Sequence, residues 1–232
     1  MDATLRQCVE WDVVNWAKAL TFWENHVELT GKRLRCLELG SRRGGLSLWL
    51  ALKGNDVVCS DYENPESQAS AVHNQYTYEG SITYESIDAT SIPYENNFDI
   101  VVFKSILGGI AREGKGHLKQ LVVDEVYKAL KPGGVVLFAE NLVASPMHQF
   151  LRSRLTKWGG YWNYLEVSEI DELFKAYHAL EFRTAGFLGA FGRSESQRNM
   201  LGKVDTWIFD RMASDAMKYI VFGLAAKESP GP

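Results

Sequence analysis

Residues 37–49, LELGSRRGGLSLW, set an acid, three glycines and two arginines between two apolar runs. That composition suits a strand that stops and turns at once into a helix. Glycine is needed where backbone bends tightly and approaches something that side chains would block. The flanks agree. Residues 33–40, RLRCLELG, read as a short apolar strand, residues 44–54, GGLSLWLALKG, as a helix closed by Gly54, and residues 56–61, DVVCSD, as a second strand of β-branched character. Together they make a βαβ unit, whose parallel strands require a right-handed crossover.

Outward from this unit the alternation continues. A helix is expected near residues 65–76, opening at Pro65, followed by a strand around TYESIDA (83–89) and a strongly apolar strand at FDIVVFKS (98–105). Leu118, Val122, Val126 and Leu130 recur every four positions and predict a helix over 117–130, which KPGG ends before the strand VVLFAEN (135–141). Five strands thus precede residue 142. Beyond it, VSEIDELFKAYHAL (167–180) reads as a helix with Ser168 at its N-cap and Asp171 three positions on. Residues 193–217 read as largely helical, KYIVFGLAAK (218–227) as a last strand, and ESPGP as a frayed tail. At the other end, Val9, Val13, Trp16, Leu20 and Trp23 fall at helical spacing and predict one or two helices within an N-terminal cap, residues 1–32. Strands alternating with helices imply an α/β fold with a doubly wound, mostly parallel sheet in one domain, residues 1–232. Ligands of such sheets sit beyond the carboxyl ends of the strands, where residues 37–49 lie.

Composition narrows the function. Of 232 residues, 46% are hydrophobic and 23% charged, a globular balance without an apolar run long enough to span a bilayer. A net charge of -4, without a dense basic block, argues against extended nucleic-acid contact, which needs a positive footprint. A small-molecule partner is the expectation. The start, MDATLRQCVEWD, lacks the basic and apolar regions of a signal peptide, so a cytoplasmic address is expected. Cys8, Cys36 and Cys59 have no C-x-x-C spacing and read as small apolar side chains.

The glycine loop can be sorted by what it lacks. A phosphate-binding P-loop would need lysine and a hydroxyl after its last glycine, but Gly45 is followed by Leu46 and Ser47. A dinucleotide turn would need G-x-G-x-x-G, and Arg42 stands at the second glycine. What remains is Glu38 two positions before Gly40, then Asp61 closing the second strand 21 positions after Gly40, then Asp88 closing the third. A carboxylate at the end of the second strand suits a ribose diol.

These landmarks, LELGSRRGG, CSDYE, SIDAT, FDIVVFKSILGG and ALKPGGVVLFAEN, resemble those of the class I S-adenosylmethionine-dependent methyltransferases over residues 34–141. The resemblance implies a seven-stranded Rossmann-like sheet with N-terminal helices and an insertion, residues 193–217, before the last strand. It implies S-adenosyl-L-methionine as cofactor. Glu38, Gly40, Ser41 and Gly44 would form the loop around its amino-acid part. Asp61 with Tyr62 would hold the ribose, Asp88 and Ala89 the adenine, and Lys104 would close the fourth strand beside it. Arg42 departs from the family, which commonly has glycine there; a wider turn with the side chain in solvent would accommodate it.

The same resemblance narrows the acceptor. Relatives that methylate base amines carry an Asp/Asn-Pro-Pro-aromatic motif after the fourth strand, whereas this chain has Lys104, Ser105, Ile106 and Leu107. Catechol-type relatives place metal-binding acids there, and neither Lys104 nor Ser105 supplies that ligand set, so a site without metal is expected. Asn141 and His148, just beyond the fifth strand, are the candidates for substrate chemistry, against a turn role for Asn141 and a surface role for His148. Trp11 and Trp16 could present an aromatic face to a sulfonium, or Trp16 and Trp23 could be core ridges. WGGYWNY (158–164) could form a lid, an acceptor wall or a packed loop. The insertion could line an acceptor pocket or build an oligomer contact, as in a homodimer. The expected activity is methyl transfer to an oxygen or nitrogen of a small molecule in biosynthesis. Its rivals are other sulfonium chemistry, such as a cyclisation releasing methylthioadenosine, and a non-catalytic cofactor-binding subunit.

Overall fold

A computed structural model of the chain describes residues 3–155 and 161–229. The N-terminal segment forms two helices, α1 (Ala3–Val9) and α2 (Val13–His26). Then come β1 (Arg35–Leu39), α3 (Gly45–Ala51), β2 (Asp56–Asp61), α4 (Pro65–His73), β3 (Ser81–Ser86), β4 (Phe98–Lys104), α5 (Leu107–Ile110), α6 (Leu118–Ala129) and β5 (Leu130–Asn141). The remainder adds α7 (Pro146–Leu155), α8 (Ile170–Leu173), β6 (Ala179–Ala185), α9 (Glu195–Val204) and β7 (Ile220–Ala226). The sheet order is β3-β2-β1-β4-β5-β7-β6, parallel except for β7, which runs antiparallel to both neighbours. This is the mostly parallel seven-stranded sheet expected.

Period-two alternation divides the strands between two apolar layers. Leu37, Leu39, Val101, Phe103, Val136 and Phe138 face α6 through Val122 and Val126. Cys36, Ile100, Val102, Leu137 and Ala139 face α2 and α3 through Trp16, Trp23, Leu46 and Leu50. Trp16 and Trp23 are fully buried core residues, and Trp23 Nε1 donates to the Gly223 carbonyl at 2.9 Å. The second layer also contains Glu38, Cys59, Asp61, Lys104 and Asn141 by the same alternation. Polar residues therefore lie at the ends of β1, β2, β4 and β5 on the α2 and α3 side of the sheet.

Two local expectations are corrected. VSEIDELFKAYHAL is a 3₁₀ turn (Val167–Glu169) and the four-residue α8, capped by Glu166 in a box with Glu169 rather than by Ser168. Tertiary burial ends it: Phe174 stacks on Phe138 at 4.4 Å, and Tyr177 donates its hydroxyl to the Val123 carbonyl. KPGG lies inside β5, where the register with β4 shifts between Phe98 and Ile100. Residues 195–212 are helical throughout, with a π turn at Asp205–Phe209. Among the described residues, no helix is long and apolar enough to cross a membrane.

Candidate functional site

After β1 the chain turns through Gly40 (φ 63°), Arg42 (φ 49°) and Gly44 (φ 70°) into α3. Glycine is required at position 40, since a Cβ there would lie 2.4 Å from Cγ2 of Ile106. Arg42 takes a left-handed conformation, which glycine adopts most readily. Its side chain is 72% exposed, with the guanidinium 3.5 Å from Glu10.

Acids brace this loop from both sides. Arg42 N–H donates to Asp61 Oδ2 at 2.8 Å, and Tyr62 N–H donates to Oδ1 at 2.7 Å. Glu38 lies buried under the start of α3 and accepts from Leu46 N–H at 3.3 Å, Ser47 N–H at 2.8 Å and the Ser47 hydroxyl at 2.5 Å. Burial pushes its carboxyl up to about 7, against these hydrogen bonds. His73 Nε2–H donates to the Gly44 carbonyl at 2.8 Å, and Nδ1 accepts from the Tyr84 hydroxyl at the same distance. The sequence reading gave His73 no part. Its signal was position: it follows Val72 on the buried Pro65, Ala69, Val72 stripe of α4.

Above the strand ends lies a cavity of about 420 Å³, within the range of small-molecule sites. Glu38, Gly40 and Ser41 from the first strand and its loop, Lys104 and Ser105 from the fourth, and Asn141 from the fifth line it, with Glu10, Trp11 and Trp162 as its cover. Lys104 Nζ sits 4.8 Å from the Trp16 ring centroid and makes no hydrogen bond or ion pair with a described residue. Burial lowers its pKa, while Glu10, Glu38 and Glu140 favour its charge. Ser105 (φ 57°) accepts from Asn141 Nδ2 at 2.9 Å, which ties the ends of β4 and β5 together.

Five of the expected residues, Glu38, Gly40, Ser41, Lys104 and Asn141, meet at this cavity, and Gly44 and Asp61 shape its loop. Tyr62 is exposed beyond β2. Asp88 is exposed after β3, where its Oδ1 accepts from Thr90 N–H and hydroxyl at 2.8 and 2.7 Å, and the half-buried Ala89 packs on the core. His148 is 1% exposed rather than at the surface. Its Nε2 donates to the Phe187 carbonyl at 2.8 Å, so Nδ1 of the neutral ring accepts from the Ser145 hydroxyl at 2.6 Å. It lines a second cavity of about 800 Å³, which shares Trp11 and Asn141 with the first.

Trp162 explains Gly108 and Gly109 after β4: a Cβ on Gly108 would lie 2.1 Å from its Nε1, and one on Gly109 2.9 Å from its ring. Of WGGYWNY, residues 158–160 lie outside the described residues.

Residues 37–138 match the family model described as Methyltransferase domain. Haemonchus contortus phosphoethanolamine N-methyltransferase 2, solved with phosphomonomethylethanolamine and S-adenosylhomocysteine, aligns with 92% of this chain at TM-score 0.62 and 20% identity. The chain spans 53% of that protein's length. The Bacillus YcgJ protein aligns at TM-score 0.62 and 15% identity, covering 92% of this chain and 99% of its own. The 4+2 cyclase SpnF aligns at TM-score 0.59 and 15% identity, covering 92% and 80%. Among curated proteins, none matches the chain. The family match runs from β1 to β5, and the solved structures share the fold. Within residues 37–138 the chain is similar to methyltransferases, and structures of like fold were solved with S-adenosylhomocysteine or S-adenosyl-L-methionine.

Proposed function

We propose that the chain transfers the methyl group of S-adenosylmethionine to an oxygen or nitrogen of a small molecule, without a metal ion. The observation that carries this reading is the convergence of Glu38, Lys104 and Asn141 on one cavity behind a glycine loop. Its donor set fits an amino acid: the Lys104 ammonium is available to a carboxylate, and Glu10 and Glu38 lie toward an ammonium. Asp61 keeps lone pairs beyond its two backbone hydrogen bonds and would accept from a ribose diol. Asp88 and Ala89 would meet the adenine.

When bound and held by Glu38, Asp61 and Lys104, the cofactor would supply an electrophilic methyl carbon to the acceptor's lone pair. The protein's part is alignment, which contributes up to roughly 7–11 kcal/mol in well-oriented systems. Asn141 would orient the acceptor at the junction of the two cavities. His148, with both ring nitrogens engaged, would hold the wall of the second cavity. Among the described residues, no group of three His, Cys, Asp or Glu is placed to hold a metal ion.

Incubation with cofactor and an acceptor panel should release S-adenosylhomocysteine. Methylthioadenosine formed without any acceptor would defeat methyl transfer in favour of cyclisation at the same site. Asp61→Ala should weaken S-adenosylhomocysteine binding by roughly 10–100-fold, the worth of hydrogen bonds to a charged group, while circular dichroism stays native. Unchanged affinity in calorimetry would contradict the ribose role.

A further inference from the structure

The second cavity, about 800 Å³, is assigned nothing by the cofactor site beside it. Its charge is one-sided. Arg152, Arg193 and Arg198 line it, and none of the described residues lining it is acidic, although the whole chain carries 29 acids against 25 bases. Guanidinium groups gathered around one hollow favour the entry of a counter-charge. Burial lowers the pKa of His148 and so disfavours a further positive charge here.

The arginines are positioned rather than loose. Arg152 donates from Nη1 to the Leu142 and Val143 carbonyls at 2.8 and 3.0 Å, and its guanidinium lies 4.2 Å from the Tyr164 ring centroid. Arg198 lies 5.5 Å from the Trp11 ring centroid, at the wall shared with the cofactor cavity. Its Nε is buried without a hydrogen-bond partner among the described residues. The nearest carboxylate, Glu195, stands 3.8 Å from Arg198 Nη1 and is committed elsewhere, accepting from Asp12 and Val13 N–H at 3.1 and 3.0 Å. Arg193 is exposed at the rim, and its guanidinium makes no hydrogen bond or ion pair with a described residue. An orphaned buried donor has a standing demand for an acceptor. The Tyr164 hydroxyl, also buried and unpartnered among the described residues, belongs to the same wall.

We infer that this cavity is the acceptor pocket and that it selects a small anion, a carboxylate or a phosphate monoester, on an apolar or aromatic body. Arg198 and Arg193 supply the charge-assisted hydrogen bonds, and Trp11, Tyr164 and Phe191 supply the faces for the body. The role of acceptor rests on the methyltransferase reading; the preference for an anion does not.

Benzoate, phenyl phosphate and their neutral counterparts benzamide and benzyl alcohol, titrated calorimetrically with and without saturating S-adenosylhomocysteine, separate the two. The anions should bind at least about tenfold more tightly than the neutral probes, and the tighter anion tells carboxylate from phosphate. Arg198→Gln and the rim variant Arg193→Gln should each weaken the anions by about tenfold and leave the neutral probes and S-adenosylhomocysteine unchanged. Equal binding of neutral and charged probes, or anion binding indifferent to both substitutions, overturns the inference. Absence of S-adenosylhomocysteine binding alongside a kept anion preference would instead sink the methyltransferase reading.

Discussion

Arg42 carries the side chain that the loop's conformation least accommodates. A non-glycine residue at φ 49° costs of the order of 1 kcal/mol, and in return Arg42 gains a solvent-screened approach to Glu10 at 3.5 Å. Its backbone does the work that matters, donating to Asp61. Arg42→Gly removes the strain and keeps that hydrogen bond, while loosening the unfolded chain. The expected outcome in urea denaturation is a change between zero and about 1 kcal/mol toward greater stability. A loss of more than about 1 kcal/mol would mean that the guanidinium's contact with Glu10 is worth far more than an exposed pair should be.

At the scale of elements, Gly45 joins the N-terminal helix to the glycine loop after β1. A Cβ at this position would meet the Cys8 and Gln7 carbonyl oxygens at 2.4 and 2.6 Å, backbone atoms that cannot swing aside. Gly45→Ala must therefore push α1 off α3, at a cost of roughly 1–3 kcal/mol as for other overpacked sites. Hydrogen exchange should show α1 amides losing protection while β1, β4 and β5 keep theirs; unchanged protection of α1 would sink this account. The same contrast explains what the sequence could show. Strands β1, β2 and β4 and helices α3 and α6 rest on local signals, apolar period and turn glycines, and fall where those signals place them, whereas β3 and β5 begin earlier than expected. The Glu195 carboxylate on the N-terminus of α2, 182 and 183 positions away, leaves no local trace. Nor does Phe174 on Phe138, which cuts the predicted helix of residues 167–180 to one turn. Around the candidate cavity, the placement of Glu38, Gly40 and Asp61 was legible because their spacing is local to one βαβ unit. His73 and Trp162 were not, because they reach the loops from other elements.

Across the described residues, Asp12, Glu38 and Glu140 are among the carboxyls buried without an ion pair. Desolvation raises Asp12, Glu38 and Glu140 each to about 7, against an ordinary value of 3.8 for Asp12 and 4.5 for the glutamates. A carboxyl raised in the folded state binds more protons there than when unfolded. Its stabilisation is complete below the unfolded value and is lost as pH rises through about 7. The lowered pKa values of buried His73 and His148 act in the opposite direction, removing stability as pH falls below about 6.5. The total profile is therefore a difference of two slopes, and one substitution isolates one of them. Asp12 accepts from the Tyr219 hydroxyl and from Asn15 Nδ2, with Asp205 and Glu195 near enough to oppose its ionisation. Asn at this position keeps an acceptor for both donors and cannot ionise. Relative to the unsubstituted protein, Asp12→Asn should be about 1–2 kcal/mol more favourable at pH 8 than at pH 5.5, read from urea curves at the two pH values. Parallel pH profiles for the two proteins would show that Asp12 is charged throughout, and that the network tying α2 to the 195–212 helix and β7 holds an anion rather than a shared proton.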